Sequence, residues 1–467
     1  MHPSNSPKLF GRTWLEWLSS LPVFALLILT LVIGTGEMVH GQLLKMGESL
    51  FGDKETQVQY FMLRAAPVQP KAQSPVKSIA IPIRHITPGI EALLSDQLAL
   101  LKGKRVALLT NQTGVDRKGV SDVDLLRAHP AINLVALFSP EHGVRGEAQA
   151  GEKVASGIDP KSGLPVHSLY GETKMPTEKM MHGIDIVLVD LQDVGTRFYT
   201  YSSTLLFMLR AAEKSGAEVI VLDRPNPQGG VMIEGPVLEP TFASFVGSFA
   251  MPVRHGMTLG ELAQMFVGEE KLRTRLRVIP MRGWNRDLAP YVAWDLPWVP
   301  PSPNMRSPRT AAVYPGTALF EGTNISEGRG SEKPFEYIGA PFIDGAALAD
   351  RLNAMGLPGV TFAPISFTPD FSKYAGQQCH GVWVIPTNSA TFQPFRTGIA
   401  LVKAIHGMYP DKFEFRAGTP SFFDQLAGTD TVRKGILDGK AVSEIEAQWQ
   451  PELDAFMQLR ARYLIYP

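Results

Sequence analysis

Four short apolar runs in the first half of the chain alternate with segments of helical periodicity. The runs are RVALLT (105–110), NLVALFS (133–139), IDIVLVDL (184–191) and AEVIVLD (217–223). Each run is apolar on both faces, which is typical of a parallel strand that helices cover on both sides. Between them, VSDVDLLRAH and SSTLLFMLRAAEKSG have helical spacing, and Gly216 is placed to act as a C-cap. This alternation predicts a doubly wound α/β domain with a parallel sheet.

The pattern becomes less regular after about residue 311. VWVIP (382–386) is one clear strand, and helices are expected near 345–355, 396–407 and 443–461. A chain of 467 residues is long enough for about three domain-sized units. We therefore expect the doubly wound domain to cover residues 86–310 and a smaller C-terminal α/β domain to cover residues 311–467.

The N-terminal segment has the layout of a membrane signal. Residues 21–34 read LPVFALLILTLVIG, and with residues 14–18 they approach the roughly 20 apolar residues that a bilayer needs. Lys8 and Arg12 precede this stretch and Glu37 follows it, so the positive-inside rule keeps the start in the cytoplasm and exports the rest. We expect residues 1–36 to hold an uncleaved signal-anchor that enters the inner membrane through residues 18–36. A cleaved signal peptide is the main alternative, and a buried helix is the third.

Residues 37–85 are expected to form a linker. The segment AAPVQPKAQSPVKS within it is rich in Pro, Ser, Ala and Lys and has no periodicity, as is typical of a tether. With an anchor, the globular part of the chain would lie in the periplasm or extracytoplasmic space. With a cleaved signal, the protein would be secreted.

Composition excludes several classes of protein. Lys and Arg number 45 and so do Asp and Glu, so the chain has no net charge, which argues against a nucleic-acid binder. The hydrophobic fraction of 44% is that of a packed globular protein. Cys379 is the single cysteine, so this chain alone can form neither an internal disulfide nor a multi-cysteine metal site. Cys379 is expected to be a small buried residue.

Polar side chains follow all four predicted strands at the point where each strand ends. Ligands of open α/β sheets bind beyond the carboxyl ends of the strands, so we expect these side chains to share one polar pocket. Single Asp or Asn residues there would be ordinary turn formers, whereas four clusters in register indicate a binding site. The residues in these clusters are Asn111, Glu141, His142, Asp190, Gln192, Asp193, Arg197, Tyr199, Asp223, Arg224 and Asn226.

The common cofactor and nucleophile motifs are missing from the sequence. It contains no G-x-G-x-x-G after the first strand, no Walker loop, no H-E-x-x-H and no G-x-S-x-G. We therefore expect no cofactor and no metal. The remaining candidates for catalysis are carboxylates, and the Asp, Asn, Arg and Tyr side chains around them can bind sugar hydroxyls and N-acyl groups. Two carboxylates suffice to cleave a glycosidic bond.

Five ordered motifs resemble the exo-β-N-acetylmuramidase family, long known only as a domain of unknown function. They are SPEHGVRGE, DLQDVGTRFYTY, DRPNPQGG, PSPN and LFEGTNISEGRGSEKPFE, and the likeness runs from about residue 90 to the C-terminus. The resemblance implies release of N-acetylmuramic acid from the non-reducing end of peptidoglycan fragments. It also implies a Rossmann-like domain, a smaller C-terminal domain and an active site between them. Ser331 stands where Thr is expected, and the N-terminal anchor is an addition to the pattern.

The motifs supply the candidate catalytic carboxylates Glu141, Glu321 and Glu327. Glu141, at the end of a buried strand, is expected to be the general acid, and one of the other two to be its partner. Asn324 and Arg329 join the binding residues named above. Arg197 would suit the lactyl carboxylate of muramic acid through a bidentate pair, and Arg224 or Arg329 could replace it.

Each candidate also has a structural interpretation. Asp190 and Asp193 could cap a helix or brace Arg197, and Glu321 and Glu327 could both be structural. Thr258 and Glu261 form the T-x-x-E pattern of a capping box, so we leave Glu261 out of the site.

Two other functions compete with the muramidase. An amidase or deacetylase acting on peptidoglycan would call for a metal triad, but the ten histidines have no recognisable ligand spacing. A membrane-tethered protein that binds cell-wall sugars would also have two lobes around a polar cleft. Retention or inversion depends on the separation of the carboxylates in space, which the sequence does not give.

Overall fold

The structure, a computed structural model, describes residues 85–146, 148–149, 151–287 and 295–467. Its strands are β1 (Arg105–Thr110), β2 (Asn133–Ser139), β3 (Gly157–Ile158), β4 (Pro165–Ser168), β5 (Ile186–Asp190), β6 (Glu218–Leu222), β7 (Glu234–Val237), β8 (Pro252–Arg254), β9 (Arg275–Ile279), β10 (Tyr337–Ala340), β11 (Val360–Phe367) and β12 (Cys379–Pro386). Its α-helices are α1 (Gly89–Asp96), α2 (Asp122–Ala128), α3 (Glu178–Met181), α4 (Tyr201–Ser215), α5 (Leu259–Glu269), α6 (Pro308–Thr317), α7 (Gly345–Ala354), α8 (Pro394–Met408), α9 (Phe422–Ala427), α10 (Thr431–Leu437), α11 (Val442–Glu446) and α12 (Gln450–Ala461).

The larger sheet has seven strands in the order β3-β4-β2-β1-β5-β6-β9. All neighbouring pairs are parallel except β3 and β4 at one edge. The chain is thus a mixed α/β fold with a parallel-dominated central sheet. From β1 the chain moves outward through β2 to β4 and then returns to β5 on the other side of β1. The carboxyl ends of β1 and β5 flank the point where this order reverses, which is where open sheets bind ligands.

Both faces of this sheet are covered by helices. Successive side chains of a strand point to opposite faces, so Leu108 and Leu109 belong to different hydrophobic clusters. Leu108 packs with residues of α1 and α2, whereas Leu109 packs with residues of α4 and α5. This double burial explains why the strands read as continuous apolar runs.

A second sheet of three antiparallel strands has the order β10-β12-β11. One hydrophobic core extends from the larger sheet into this one, and it includes Val382 and Val384 of β12 and Phe395 and Ile399 of α8. Helices α6 and α8 approach each other closely, since a Cβ atom on Gly316 would collide with the backbone of α8. A short antiparallel pair, β7 and β8, completes the described strands.

The four strands predicted from the apolar runs are confirmed as β1, β2, β5 and β6. Gly216 ends α4 with φ of 75°, as the sequence predicted. The helix expected over 443–461 is two helices, α11 and α12, and Pro451 lies in the first turn of α12, where proline is favoured. Thr258 and Glu261 form the expected capping box of α5.

The expected signal-anchor (residues 1–36) and the expected linker as far as residue 84 lie outside the described residues. Among the helices that the structure does describe, none has the length and apolar character needed to cross a membrane.

Candidate active site

A cavity of about 970 Å³ opens beyond the carboxyl ends of the central strands. Loops that follow β2 and β5 line it, together with segments around residues 319–329 and 371–374. Its charged lining consists of the carboxylates Glu141, Glu321 and Glu327 and the cations Arg329, Lys373 and Arg416. Acidic and basic groups are therefore balanced around a space large enough for a small ligand.

Glu141 is held in place by two neutral donors. It follows the end of β2 and is 9% exposed. Its Oε1 accepts a hydrogen bond from the N–H of Gly151 at 2.9 Å, and its Oε2 accepts one from the hydroxyl of Thr200 at 2.7 Å. No ion pair of Glu141 occurs among the described residues. The carboxyl group is therefore oriented without being neutralised by a fixed cation.

His142 occupies a left-handed backbone position, with φ of 75°. Such a position is uncommon for a residue other than glycine and occurs often at functional sites. Its Nδ1 lies 2.8 Å from the carbonyl of Ala148, which can only accept, so Nδ1 carries the proton and Nε2 keeps a lone pair. Burial lowers the pKa of His142, although the charge of Glu141 opposes this. The ring is therefore neutral at pH 7.

Glu321, Glu327, Arg329 and Lys373 form one ionic cluster. Arg329 Nη2 lies 3.1 Å from Glu321 Oε1, and Arg329 Nε lies 3.2 Å from Glu327 Oε1. Lys373 Nζ lies 2.9 Å from Glu327 Oε2. Burial raises the pKa of Glu321; Arg329 opposes the rise, and the charge of Glu327 adds to it. Glu327 thus has two cationic partners, whereas Glu321 shares one.

Aromatic side chains form the walls of the cavity. The ring of Tyr314 makes edge-to-face contacts with Phe198 and Phe335, at centroid distances of 5.4 and 4.8 Å. Burial raises the pKa of Tyr170 far above its usual range, and the charges of Glu141 and Glu321 both add to the rise. Tyr170 therefore lies within electrostatic reach of both carboxylates. Rings and carboxylates in one cavity suit a ligand with apolar faces and hydroxyl edges, such as a sugar.

The structure brings seven of the fifteen residues singled out in the sequence to this cavity. They are Glu141, His142, Tyr199, Glu321, Asn324, Glu327 and Arg329. The side-chain amide of Asn324 is hydrogen-bonded to the main chain. Its Nδ2 donates to the carbonyl of Lys412 at 2.7 Å, and its Oδ1 accepts from the N–H of Glu414 at 3.0 Å.

Arg197 does not face the cavity, so the contact with a substrate carboxylate that the sequence suggested is wrong. Its side chain is fully buried and donates to the carbonyls of Pro236, Met251 and Leu426 at 2.8, 2.9 and 2.7 Å. Burial lowers its pKa to about 9. The guanidinium joins three chain segments and is not accessible to a substrate.

Asp190, Asp223 and Arg224 also lie outside the cavity. Asp190 forms a fully buried ion pair with Arg224 rather than bracing Arg197. Asp223 accepts from the hydroxyls of Thr258 and Tyr466 at 2.7 and 2.6 Å. These groups hold the ends of β5 and β6 together beneath the site.

The remaining four predicted residues hold loops in shape. Asn111 donates to the hydroxyl of Tyr201 at 2.6 Å, and Asp193 accepts from the N–H of Gly195 at 2.6 Å. Gln192 donates to the carbonyl of Pro225 at 2.8 Å, and Asn226 donates to that of Met257 at 2.9 Å. Their polar atoms are directed to neighbouring loops and not into the cavity.

Sequence reasoning missed several cavity residues. Tyr170, Lys373 and Arg416 line it but lie in none of the motifs. Asn304 also lines it, and among the described residues its buried Nδ2 has no hydrogen-bond partner. Asn304 ends the motif PSPN, which was the one available signal. In the described part of the chain, no three His, Cys, Asp or Glu side chains are grouped so that they could hold a metal ion.

Comparison with known proteins gives the family. The family models "Exo-beta-N-acetylmuramidase NamZ, N-terminal" and "Exo-beta-N-acetylmuramidase NamZ, C-terminal" match residues 106–309 and 312–466. This chain belongs to the NamZ family. A member named peptidoglycan beta-N-acetylmuramidase NamZ, from Bacillus subtilis (strain 168), is 50% identical over 381 residues, which cover 82% of this chain and 91% of the relative.

Two crystal structures of DUF1343 family proteins from Bacteroides fragilis NCTC 9343 resemble this member of the NamZ family. One has a TM-score of 0.77 at 37% identity, and the other has 0.65 at 33%. Each comparison covers 82% of this chain and 99% of the solved chain. This chain thus shares its mixed α/β fold with both solved proteins.

Proposed function

We propose that this protein is an exo-acting β-N-acetylmuramidase, a glycoside hydrolase that removes terminal, non-reducing N-acetylmuramic acid from peptidoglycan fragments. The observation that carries this is the presence of Glu141 and Glu321 in one aromatic-walled cavity of a NamZ-family chain. Two carboxylates are the usual requirement for hydrolysis of a glycosidic bond. Its substrates are peptidoglycan-derived muropeptides or disaccharides, and its process is cell-wall turnover and recycling.

We assign the general acid to Glu321. A glycosidase must protonate the leaving oxygen, so one carboxyl group has to hold a proton near neutral pH. The sequence favoured Glu141 for this role because of its place at the end of a buried strand. Burial raises the pKa of Glu321 in spite of Arg329, which supports Glu321 as the acid. Glu141, oriented by Gly151 and Thr200, then takes the second role and activates water or attacks the anomeric carbon.

Glu327 is a positioning residue in this proposal. Its carboxylate contacts both Arg329 and Lys373, and Arg329 in turn contacts Glu321. Lys373 also donates to the carbonyls of Phe320 and Ile325 at 2.6 and 3.0 Å, so it ties the chain on both sides of Glu321 to Glu327. The cluster therefore orients the acid rather than supplying a third reacting group.

We also infer a Rossmann-like, doubly wound domain and a smaller C-terminal α/β domain. Counting only the parallel strands in chain order, the spatial order is 3-2-1-4-5-6, which is that of dinucleotide-binding doubly wound sheets. The two family matches meet near residue 310, which supports the division into residues 86–310 and 311–467.

We propose that residues 18–36 anchor the protein in the inner membrane and that the catalytic part faces the periplasm. The charge pattern around the apolar stretch supports this. Peptidoglycan lies outside the cytoplasm, so this location places the cavity beside its substrate.

A pair of disaccharides tests the activity. One has N-acetylmuramic acid at its non-reducing end, and the other has N-acetylglucosamine there and muramic acid at the reducing end. We expect free N-acetylmuramic acid from the first disaccharide only, measured by mass spectrometry. Binding of the disaccharide without any release would instead indicate a sugar-binding protein. Release of acetate or peptide would indicate a deacetylase or an amidase.

A further inference from the structure

Among the described residues, the charged groups of the cavity include one cation without a carboxylate partner. Arg329 contacts Glu321 and Glu327, and Lys373 contacts Glu327. The third cation, Arg416, forms no ion pair with any described residue. Because the other two cations are already committed, Arg416 is the one positioned to receive an acidic ligand.

The main chain around Arg416 is firmly held against the loop that carries Glu321. The N–H of Arg416 donates to the carbonyl of Gly322 at 2.8 Å, and the N–H of Asn324 donates to the carbonyl of Glu414 at 3.0 Å. The side chain of Asn324 adds the two hydrogen bonds to residues 412 and 414 described above. These antiparallel hydrogen bonds fix the position of the Arg416 backbone, and therefore of its Cα atom, beside the cavity.

The side chains of this segment alternate between the protein interior and the surface. Phe413 and Phe415 stack edge-to-face at 5.0 Å, and Phe415 stacks on Phe423 at 4.9 Å. Side chains of an extended segment alternate between two faces, so Arg416 is directed away from this aromatic cluster. It is exposed and lines the cavity. Its Nη1 donates to the carbonyl of Glu321 at 3.2 Å, and its guanidinium lies over the ring of Phe422, 5.7 Å from the centroid. The other guanidinium N–H groups have no hydrogen-bond acceptor among the described residues, so they can donate to a ligand.

We propose that Arg416 binds the 3-O-lactyl carboxylate of muramic acid and thereby selects muramic acid over glucosamine. This inference rests on the proposed function, because it names the residue that recognises the lactyl carboxylate of the proposed substrate. The lactyl carboxylate brings a negative charge to a lining with equal numbers of acids and bases, and Arg416 is the uncommitted base. A guanidinium can hold a carboxylate through two parallel hydrogen bonds.

Other cations are less suited to this role. Arg197 and Arg224 are buried and committed to protein acceptors, as described above. Lys174 has no ion pair among the described residues, but it is not part of the cavity lining, and its Nζ lies over the ring of Tyr170, 2.9 Å from the centroid. Lys174 is therefore the rival to be tested beside Arg416.

The test compares three 4-nitrophenyl β-glycosides, of N-acetylmuramic acid, of the same sugar with its lactyl group as a neutral amide, and of N-acetylglucosamine. We expect the wild-type protein to prefer the acid over the amide by about 10- to 100-fold in kcat/KM, as a charge-assisted hydrogen-bond pair allows. R416Q should cleave the acid and the amide with similar kcat/KM, because it lacks the guanidinium that favours the acid, and R416K should keep part of the preference. R306Q is the matched control, because Arg306 is exposed, donates to the carbonyl of Glu332 at 3.3 Å and lies outside the cavity lining.

The outcomes separate this inference from the proposed function. If the wild-type protein cleaves the muramide and R416Q keeps the full preference for the acid, the assignment of Arg416 is overturned and the proposed function stands. Loss of the preference in K174Q and not in R416Q overturns it in favour of Lys174. If the wild-type protein does not cleave the muramide or treats all three glycosides alike, the proposed substrate and this inference fall together.

Discussion

The hydroxyl of Thr200 donates a hydrogen bond to Oε2 of Glu141 across 2.7 Å. Thr200 is the N-cap residue of α4, which follows β5, and Glu141 follows β2, so the loops that follow the strands on either side of β1 meet in this contact. The hydrogen bond holds one of the two oxygens of this candidate catalytic carboxylate and so restricts rotation of the carboxylate. It connects the first turn of a core helix directly to the site.

We predict that T200V lowers kcat by at least about 10-fold, because a hydrogen bond to a charged group contributes roughly 1.5–3 kcal/mol. Valine has nearly the shape of threonine, so the fold should be unchanged. T204V is the control, since the Thr204 hydroxyl is also buried in α4 but donates to the carbonyl of Thr200 at 3.1 Å. Kinetics on a muramide and thermal unfolding of both variants check this. Equal kcat for T200V and T204V would contradict the role of this contact.

Arg197 leads to a prediction about stability rather than binding. R197M removes the donors of three buried carbonyl groups, each of which then loses its partner. Because an unsatisfied buried polar group costs about 1–3 kcal/mol, the free energy of unfolding should fall by at least about 3 kcal/mol. KM of the folded fraction should not change. R273M is the control, since the side chain of Arg273 is 91% exposed.

Urea unfolding and steady-state kinetics separate the two interpretations of Arg197. A rise in KM with unchanged stability in R197M would restore the substrate contact that the sequence suggested.

The regular elements could be predicted because their signal is local. Strand β5 is apolar on both faces, and α4 has helical spacing and ends at a glycine in the left-handed region. Strand β9 gave no such signal. It lies at the edge of the sheet, and Arg275 and Arg277 point to solvent between apolar residues, so no continuous apolar run is present.

The candidate site was predicted only in part. The sequence predicts polar residues at the strand ends, but it does not say which of their side chains face the cavity, and only three of the eleven line it. Arg197 is buried because segments around residues 236, 251 and 426 close over it, and these are distant in the chain. Arg416 lies in the cavity because of pairing with residues 322–324, which no local pattern encodes. Such contacts between distant segments decide whether a polar side chain is buried or lines the cavity. No short sequence motif encodes them.

Asp193 gives a prediction about pH. It is buried, its Oδ1 has no hydrogen-bond partner among the described residues, and Nε2 of His255 lies 4.0 Å from its Oδ2. Burial raises the pKa of Asp193 from 3.8 to about 7, although backbone N–H groups of Gly195 and Val194 oppose this. The pKa is higher in the folded state than in the unfolded state. The stability that this group contributes is therefore fully present below pH 3.8 and is lost as the pH rises through about 7.

We accordingly predict that the wild-type protein loses stability relative to D193N as the pH rises from 4 to 7, by up to about 1.4 kcal/mol per pH unit. Asparagine can keep the acceptor for Gly195 but cannot ionise. Urea unfolding of both proteins at several pH values measures the difference. Parallel pH dependences would show that Asp193 does not titrate in this range.

The apolar N-terminal segment and the basic residues before it predict that the protein is held in the inner membrane. With residues 18–36 as an uncleaved anchor, the full-length chain should remain in the inner-membrane fraction after a carbonate wash. A C-terminal alkaline phosphatase fusion should be active, because the positive-inside rule exports the rest of the chain. Deletion of residues 1–36 should release the protein from the membrane. A soluble form that begins near residues 37–42 would indicate a cleaved signal peptide, and a C-terminal reporter that is active only in the cytoplasm would contradict export.

The last prediction separates the roles of the two carboxylates. Loss of a general acid matters most when the leaving group is poor, since a good leaving group departs without protonation. E321Q should therefore lower kcat/KM by at least about 100-fold on a disaccharide but much less on a 2,4-dinitrophenyl muramide, as general acid catalysis contributes roughly 10²- to 10⁴-fold. E141Q should be impaired on both substrates, because the attack on the anomeric carbon does not depend on the leaving group.

E327Q is the companion variant for this experiment. It removes the charge that holds Arg329 and Lys373, so it should lower activity moderately, and more on the disaccharide than on the dinitrophenyl muramide, because this cluster orients the acid Glu321. If E141Q and not E321Q is restored by the activated leaving group, the acid is Glu141, as its position at the end of β2 first suggested. The muramidase activity would stand, and Glu141 and Glu321 would exchange the roles that we propose for them.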